Sequence, residues 1–141
     1  MKKSVSIISY ICIGIFSSSL LYISILAWAN PATVMAFVGV ELTNNDALSS
    51  IRGVYGGVGF FLVGLALIIS IRNLQYGLLF FTVFWLMYAV SRVLTICING
   101  PLGAFGNTWL KIELTFGLLS LTLYLLRRYV LKIKMARFAN G

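Results

Sequence analysis

Stretches without charged residues divide the chain into long apolar segments. Residues 4–40 carry no charge, and 19 uncharged residues lie between Arg52 and Arg72, as between Arg72 and Arg92. A shorter run of 13 uncharged residues, 114–126, follows the last acidic residue. A helix that crosses a bilayer needs about 20 mostly apolar residues. The pattern therefore predicts four membrane spans, near residues 5–28, 50–71, 74–98 and 108–126.

The apolar runs are continuous, which favours helices over the alternating strands of a membrane barrel. Within lipid a helix satisfies its own backbone hydrogen bonds, whereas an open sheet leaves them unpaired. Short connections at residues 72–73 and 99–107 make neighbouring helices antiparallel. The sequence thus predicts an all-α, integral membrane, four-helix up-down bundle, built as a single transmembrane domain over residues 1–141.

The connection between the first two spans, residues 30–49, is longer. It opens with Asn30 and Pro31, which predict the end of the first helix. An apolar piece, residues 32–40, precedes a polar run at residues 41–46. Two interpretations stay open for the apolar piece: a segment lying in the membrane interface, or an ordinary loop with a few apolar anchors.

Composition supports the membrane assignment and excludes several classes of protein. The 141 residues are 60% hydrophobic and 10% charged, with a mean hydropathy of +0.99, whereas about a quarter of an ordinary soluble domain is charged. So short a chain cannot bury this much apolar surface, and disordered chains have the opposite composition. A soluble, nucleic-acid-binding or disordered protein is therefore excluded.

The distribution of basic residues predicts the orientation, because Lys and Arg favour the cytoplasmic side. The chain has 11 basic and 3 acidic residues, a net charge of +8. With both termini in the cytoplasm, the connections 30–49 and 99–107 face outward and carry no Lys or Arg. A basic cytoplasmic tail, residues 127–141, then rests on anionic lipid, at about 1 kcal/mol per basic residue near the surface. The basic residues on the cytoplasmic side are Lys2, Lys3, Arg72, Arg127, Arg128, Lys132, Lys134 and Arg137.

The N-terminal segment also resembles a signal peptide, with two lysines before an apolar run and an A-x-A site at residues 27–29. The apolar run exceeds the roughly 7–15 residues of a signal peptide. We therefore expect an uncleaved first helix. The alternative, cleavage after Ala29, leaves three spans in the same orientation.

Three charged residues remain inside or at the edge of the predicted spans: Arg52, Arg92 and Glu113. The predicted topology brings all three to a similar depth in the outer half of the bilayer. A charge at the centre of a membrane helix costs about 2.5–3.5 kcal/mol, so such residues usually face the bundle interior and find partners. We predict that Glu113 pairs with Arg92, with Arg52, or with both.

Helical spacing places these charges on polar stripes. Glu113 shares a face with Gly117, Ser120 and Tyr124, and Arg92 shares one with Tyr88, whose ring is close enough in sequence to stack on the guanidinium. Two hypotheses stay open: a structural ion pair that fixes helix packing, and an outer-leaflet site for a small anionic or polar ligand. The candidate site residues are Arg52, Arg92, Glu113, Tyr55 and Tyr88.

Three glycines near the start of the second span are candidates for helix packing: Gly53, Gly56 and Gly57. Gly53 and Gly57 form a G-x-x-x-G pair, which lets helices approach closely. We favour packing inside the chain, with a dimer interface as the alternative. The chain has no His and no paired carboxylates, so we expect no metal, no cofactor and no catalytic residue.

The element Arg52-x-x-Tyr55-Gly56-Gly57, together with Arg92, Glu113 and residues 31–40, resembles the domain-of-unknown-function 4345 family of small bacterial membrane proteins. The resemblance extends from the first helix to Arg128. It implies a four-helix protein of the bacterial inner membrane. The architecture is similar to that of DoxX-like proteins, some of which accompany quinone or thiol redox enzymes.

Three functional hypotheses follow. The first is an accessory or structural membrane component with a buried Arg/Glu cluster, not an enzyme. The second is a binding or transport module for a small anionic or amphipathic molecule. The third is a membrane subunit of a quinone- or thiol-linked redox system. Expected partners are the lipid bilayer and either a second copy of the chain or another membrane protein, but no nucleic acid.

Overall fold

The computed structural model describes the backbone of residues 2–139 and the side chains of residues 3–132. The predicted cytoplasmic residues Lys2, Lys134 and Arg137 therefore lie outside the described side chains. Over the described backbone the chain is helical and forms no strand. Its elements are α1 (Lys2–Ala29), α2 (Pro31–Ala36), α3 (Asn45–Ile51), a π-helical segment (Arg52–Gly57), α4 (Val58–Arg72), α5 (Leu74–Asn99) and α6 (Ala104–Ala139).

Four helices in the described part of the chain are long and apolar enough to cross a membrane. They are α1, α5, α6 and the continuous helix Asn45–Arg72, which consists of α3, the π-helical segment and α4. The predicted all-α, four-helix membrane architecture is confirmed. The second long helix begins at Asn45 because the Asn44 side chain accepts a hydrogen bond from the Ala47 amide at 2.8 Å, which caps its N-terminus.

Local sequence signals end the helices and reverse the chain. Pro31 occupies the first turn of α2, where the Asn30 side chain accepts a hydrogen bond from the Thr33 amide at 3.3 Å. Asn73 separates α4 from α5 and caps α5 through the Gln75 amide at 3.0 Å. Gly100 ends α5 with a φ of +97°, a conformation that other residues rarely adopt. The short connections after Arg72 and Asn99 make the long helices that they join antiparallel.

The connection between α1 and α3 covers one end of the bundle, called here the capped end. In α2, Val34 and Met35 are buried against Ala27 of α1, with Leu42 and Ile51 packed beside them. The opposite end is called the basic end. There the Arg127 side chain donates a hydrogen bond from Nη1 to the Ser6 hydroxyl at 2.8 Å, which links α6 to α1.

An aromatic core fills the centre of the bundle. Phe16 of α1 packs against Phe81 of α5, with ring centroids 5.4 Å apart, and against Phe116 of α6, at 4.8 Å. Trp85 closes the cluster at 5.1 Å from Phe116. In cross-section α1 lies beside α4 and α6, and α5 also lies beside α4 and α6. Phe16 therefore bridges the diagonal of a closed four-helix arrangement.

In lipid the hydrophobic effect does not draw helices together, so their association depends on close packing. Small residues allow such packing in this bundle. Gly59 of α4 lies directly against Ser24 of α1, and a side chain at Gly59 would overlap that serine. Between α5 and α6, the Ser120 hydroxyl donates a hydrogen bond to the Leu78 carbonyl at 2.8 Å. These contacts bring the backbones of neighbouring helices together and satisfy buried hydroxyl groups.

Candidate functional site in the capped half of the bundle

Arg92 and Glu113 meet between α5 and α6. Arg92 lies seven residues before the end of α5, and Glu113 lies nine residues after the start of α6. At 1.5 Å per residue, both are about 10–14 Å from the capped end. Arg92 Nε donates hydrogen bonds to both carboxylate oxygens of Glu113, at 2.9 Å to Oε1 and 2.8 Å to Oε2. The ion pair therefore connects two antiparallel helices at a matched depth.

Burial makes this ion pair energetically important. The Glu113 side chain is 2% exposed and that of Arg92 is 21% exposed. A carboxylate in such surroundings loses its hydration and is stabilised mainly by its partner, so removal of that partner is costly. On α6, Gly117 and Ser120 are buried on the same face as Glu113. The face of α6 that carries Glu113 is thus held against α5.

Arg52 does not join this ion pair. Its Nε donates a hydrogen bond to the Trp28 carbonyl at 3.2 Å. Trp28 lies in the last turn of α1, whose carbonyls have no partner within the helix. A cation is also favourable there because the C-terminus of a helix carries partial negative charge. Arg52 therefore caps α1, a role that the sequence prediction missed.

The Arg-x-x-Tyr-Gly-Gly element forms the π-helical segment, in which the Val58 amide bonds to the Gly53 carbonyl five residues earlier. The face that meets α1 carries Arg52, Gly56 and Phe60, and all three contact Trp28. The Phe60 ring lies 4.7 Å from the Trp28 ring, and a side chain at Gly56 would overlap the indole. Single-turn π segments inside α-helices often occur at functional sites.

Of the three candidate packing glycines, Gly56 packs against Trp28 of α1, whereas Gly53 and Gly57 have no neighbouring side chain in the described bundle. A Cβ atom added at either Gly53 or Gly57 would meet nothing within 4 Å. Gly53 follows Arg52 and Gly57 follows Gly56, and both preceding residues lie on the face that contacts α1. Because consecutive residues of a helix point in different directions, the two glycines lie off that face. The G-x-x-x-G pair therefore lies on the outer surface of the described bundle.

Tyr88 lies beside the ion pair, and Tyr55 lies near Tyr88. Tyr88 is one turn before Arg92 on α5, and its hydroxyl is within electrostatic range of Tyr55, Arg92 and Glu113. Its aromatic contact is with Phe84, at a centroid distance of 5.1 Å. Tyr55 is 36% exposed and Tyr88 is 44% exposed. Four of the five candidate residues thus form one neighbourhood, and Arg52 lies one turn before Tyr55.

The arginines and tyrosines among the candidate residues are hydrogen-bond donors. In the hydrogen bonds described above, Arg52 and Arg92 donate only from Nε. The terminal nitrogens of both guanidinium groups take no part in these bonds. Guanidinium and phenol groups together suit an anionic or polar molecule. No group of three or more His, Cys, Asp or Glu side chains comes together within residues 3–132. Both cysteines, Cys12 and Cys97, are free thiols.

Four long apolar helices with a charged pair between two of them define a multi-pass helical membrane protein. A family model described as "Domain of unknown function (DUF4345)" matches residues 8–124, and the chain belongs to this family. The match includes all the candidate site residues. Comparisons with curated proteins and with solved structures gave no match.

A Glu113→Gln substitution tests the structural importance of the ion pair. The variant leaves the Arg92 guanidinium without a counter-charge, so we expect the free energy of unfolding to fall by about 3 kcal/mol. The measurement is unfolding of the purified protein in detergent. Glu41→Gln is the matched control, because Glu41 is exposed in the connection between α1 and α3. If Glu113→Gln is as stable as Glu41→Gln, the ion pair is not structural.

Proposed function

We propose that this chain is an accessory component of the bacterial inner membrane, with both termini in the cytoplasm. The observation that supports a structural role for the charged site is the enclosure of Glu113. Its side chain is 2% exposed and both of its oxygens accept hydrogen bonds from Arg92. A carboxylate that is buried and paired in this way links two helices and is poorly placed to bind a substrate.

An accessory protein needs a surface for its partner, and the outer face of the second long helix offers one. Gly53, Gly57 and Gly64 each have open space where a Cβ atom would lie. Small residues on a lipid-facing helix let another helix approach closely. We propose that a transmembrane helix of a second copy or of another membrane protein docks on this surface.

Gly57→Leu tests the docking surface. We expect the wild-type chain, purified from its native membrane in a gentle detergent, to form a complex larger than its own 15.6 kDa. The leucine should displace the docked helix and leave a monomer, as measured by light scattering after size exclusion. Gly14→Leu is the matched control, because Gly14 also has open space but lies on α1. A monomeric wild-type protein, or loss of the complex with Gly14→Leu alone, contradicts the proposal.

The proposed orientation follows from the basic residues. Among the described side chains, Lys3, Arg72, Arg127, Arg128 and Lys132 belong to the basic end, whereas residues 30–49 and 99–107 contain no Lys or Arg. Because basic residues favour the cytoplasmic side, the basic end faces the cytoplasm and the capped end faces outward.

Single-cysteine variants test the orientation in a Cys12→Ala, Cys97→Ser background. We expect a membrane-impermeant maleimide to label Gly103→Cys, at the capped end, in intact spheroplasts. Ser4→Cys, at the basic end, should react only after lysis, because the bilayer shields it. Labelling of Ser4→Cys but not of Gly103→Cys in intact spheroplasts contradicts the orientation.

A second candidate function, binding of a small amphipathic anion, is favoured by the two arginines. Their terminal nitrogens are outside the hydrogen bonds to Trp28 and Glu113, and Tyr55 and Tyr88 lie next to them. The three charged residues, two cations and one anion, sum to +1. Such a surface attracts an anionic headgroup while its alkyl chain stays in lipid.

Tyr88→Phe tests this second candidate with dodecyl phosphate as the probe. We expect the purified protein to bind dodecyl phosphate, and loss of the hydroxyl to weaken binding by about fivefold to tenfold, the worth of one hydrogen bond. Isothermal titration in an uncharged detergent measures the affinity. Tyr76→Phe is the matched control, because Tyr76 is exposed at the basic end of α5. Equal affinities of the wild type and both variants contradict an anion site beside Tyr88.

A further inference from the structure

A groove between α1 and α6 lies apart from the Arg/Glu site. It consists of two adjoining depressions of about 690 and 330 Å³, which share Ser19 and Trp109 as lining residues. Lys111 also lines it. Lys111 is two residues before Glu113, so it points away from the ion pair around the α6 axis. The groove is open towards the surroundings of the bundle.

Polarity changes along this groove in the direction of the bilayer normal. Trp109 and Lys111 lie five and seven residues after the start of α6, about 8–11 Å from the capped end. At the other end of the groove, Ile11, Gly14 and Ile15 lie 14–18 residues before the end of α1, about 21–27 Å away from it. The groove is therefore cationic near the membrane surface and apolar towards the bilayer centre.

Two of the hydroxyl groups that line the groove are hydrogen-bonded and therefore tolerate contact with hydrocarbon. The Ser19 hydroxyl donates to the Ile15 carbonyl at 3.0 Å, and the Thr115 hydroxyl donates to the Lys111 carbonyl at 2.7 Å. Both hydroxyls are thus satisfied within their own helices. A Cβ atom added at Gly14 would meet nothing within 4 Å, so the missing side chain contributes to the open space.

We propose that this groove binds one anionic phospholipid, with its phosphate at Lys111 and one acyl chain along α1 past Gly14. Charge complementarity supports this occupant, because the long side chain of Lys111 can extend its ammonium group towards the phosphates at the membrane surface. Trp109 adds an indole at the same level, the position that tryptophan favours at a membrane interface. A transmembrane helix of another protein would place apolar side chains against Lys111, which is unfavourable.

The proposal is tested with the full chain, delipidated in an uncharged detergent and titrated with phosphatidylglycerol or phosphatidylcholine of the same acyl chains. Native mass spectrometry counts the bound lipids. We expect one site that prefers phosphatidylglycerol by about fivefold, the contribution of one basic residue near a membrane surface. Lys111→Gln should abolish the preference and retain a lipid. Gly14→Leu should remove the bound lipid of either kind, because leucine fills the groove.

Two matched variants control for charge and for bulk. Arg128→Gln removes a basic residue at the opposite end of α6, and Val83→Phe adds bulk at an exposed side chain of α5; both should bind as the wild type does. Size exclusion and circular dichroism verify that each variant is folded. Loss of the preference with Arg128→Gln instead of Lys111→Gln assigns the lipid to the basic end and overturns the proposal. Unchanged lipid binding by Gly14→Leu also overturns the proposal. So does a Gly14→Leu variant that keeps its lipid but loses a dimer that the wild type forms.

Discussion

A carboxylate enclosed in an apolar bundle requires a cation beside it, and Glu113 obtains one from Arg92 on the neighbouring helix. This requirement fixes the relative positions of α5 and α6, because both residues must lie at the same depth and on facing surfaces. Both oxygens of Glu113 accept from Arg92 Nε at 2.8–2.9 Å. Further along the interface, Ser120 bonds to the Leu78 carbonyl and continues the contact towards the basic end. The Gln75 side chain of α5 also donates a hydrogen bond to the Tyr124 carbonyl of α6 at 2.9 Å. One ion pair and two hydrogen bonds thus set the alignment of the two long helices.

The other half of the bundle is held together at the end of α1. Arg52 binds the Trp28 carbonyl, and Gly56 leaves room for the Trp28 ring. The π-helical segment that carries both residues therefore packs on α1 through a backbone acceptor and an aromatic ring. The two arginines that remain within the spans have different tasks: Arg92 compensates a buried charge, and Arg52 completes the hydrogen bonding of a helix terminus. Because only Arg92 has an acidic partner, this region keeps a net positive charge.

The number and approximate positions of the spans were predictable because membrane insertion depends on length and hydropathy, which are local properties of the sequence. The common depth of Arg92 and Glu113 followed from helix geometry alone. The partner of Arg52 did not, because a backbone carbonyl leaves no mark in the sequence. The direction in which Gly53 and Gly57 face was not predictable either, since spacing gives the relative angle of two residues but not which face meets α1. The fold of residues 30–44 depends on burial of Val34 and Met35 against Ala27, a tertiary contact that periodicity over so short a segment does not reveal.

The interaction energy between Arg92 and Glu113, measured in a double-mutant cycle, tests whether their ion pair aligns α5 with α6. The cycle compares the free energies of unfolding of Arg92→Gln, Glu113→Gln and the double variant in one detergent. If the ion pair aligns α5 with α6, the double variant is less destabilised than the sum of the two single variants, with a coupling energy of about 2 kcal/mol. If the two single effects add to within about 0.5 kcal/mol, the two side chains act independently and the ion pair does not align the helices.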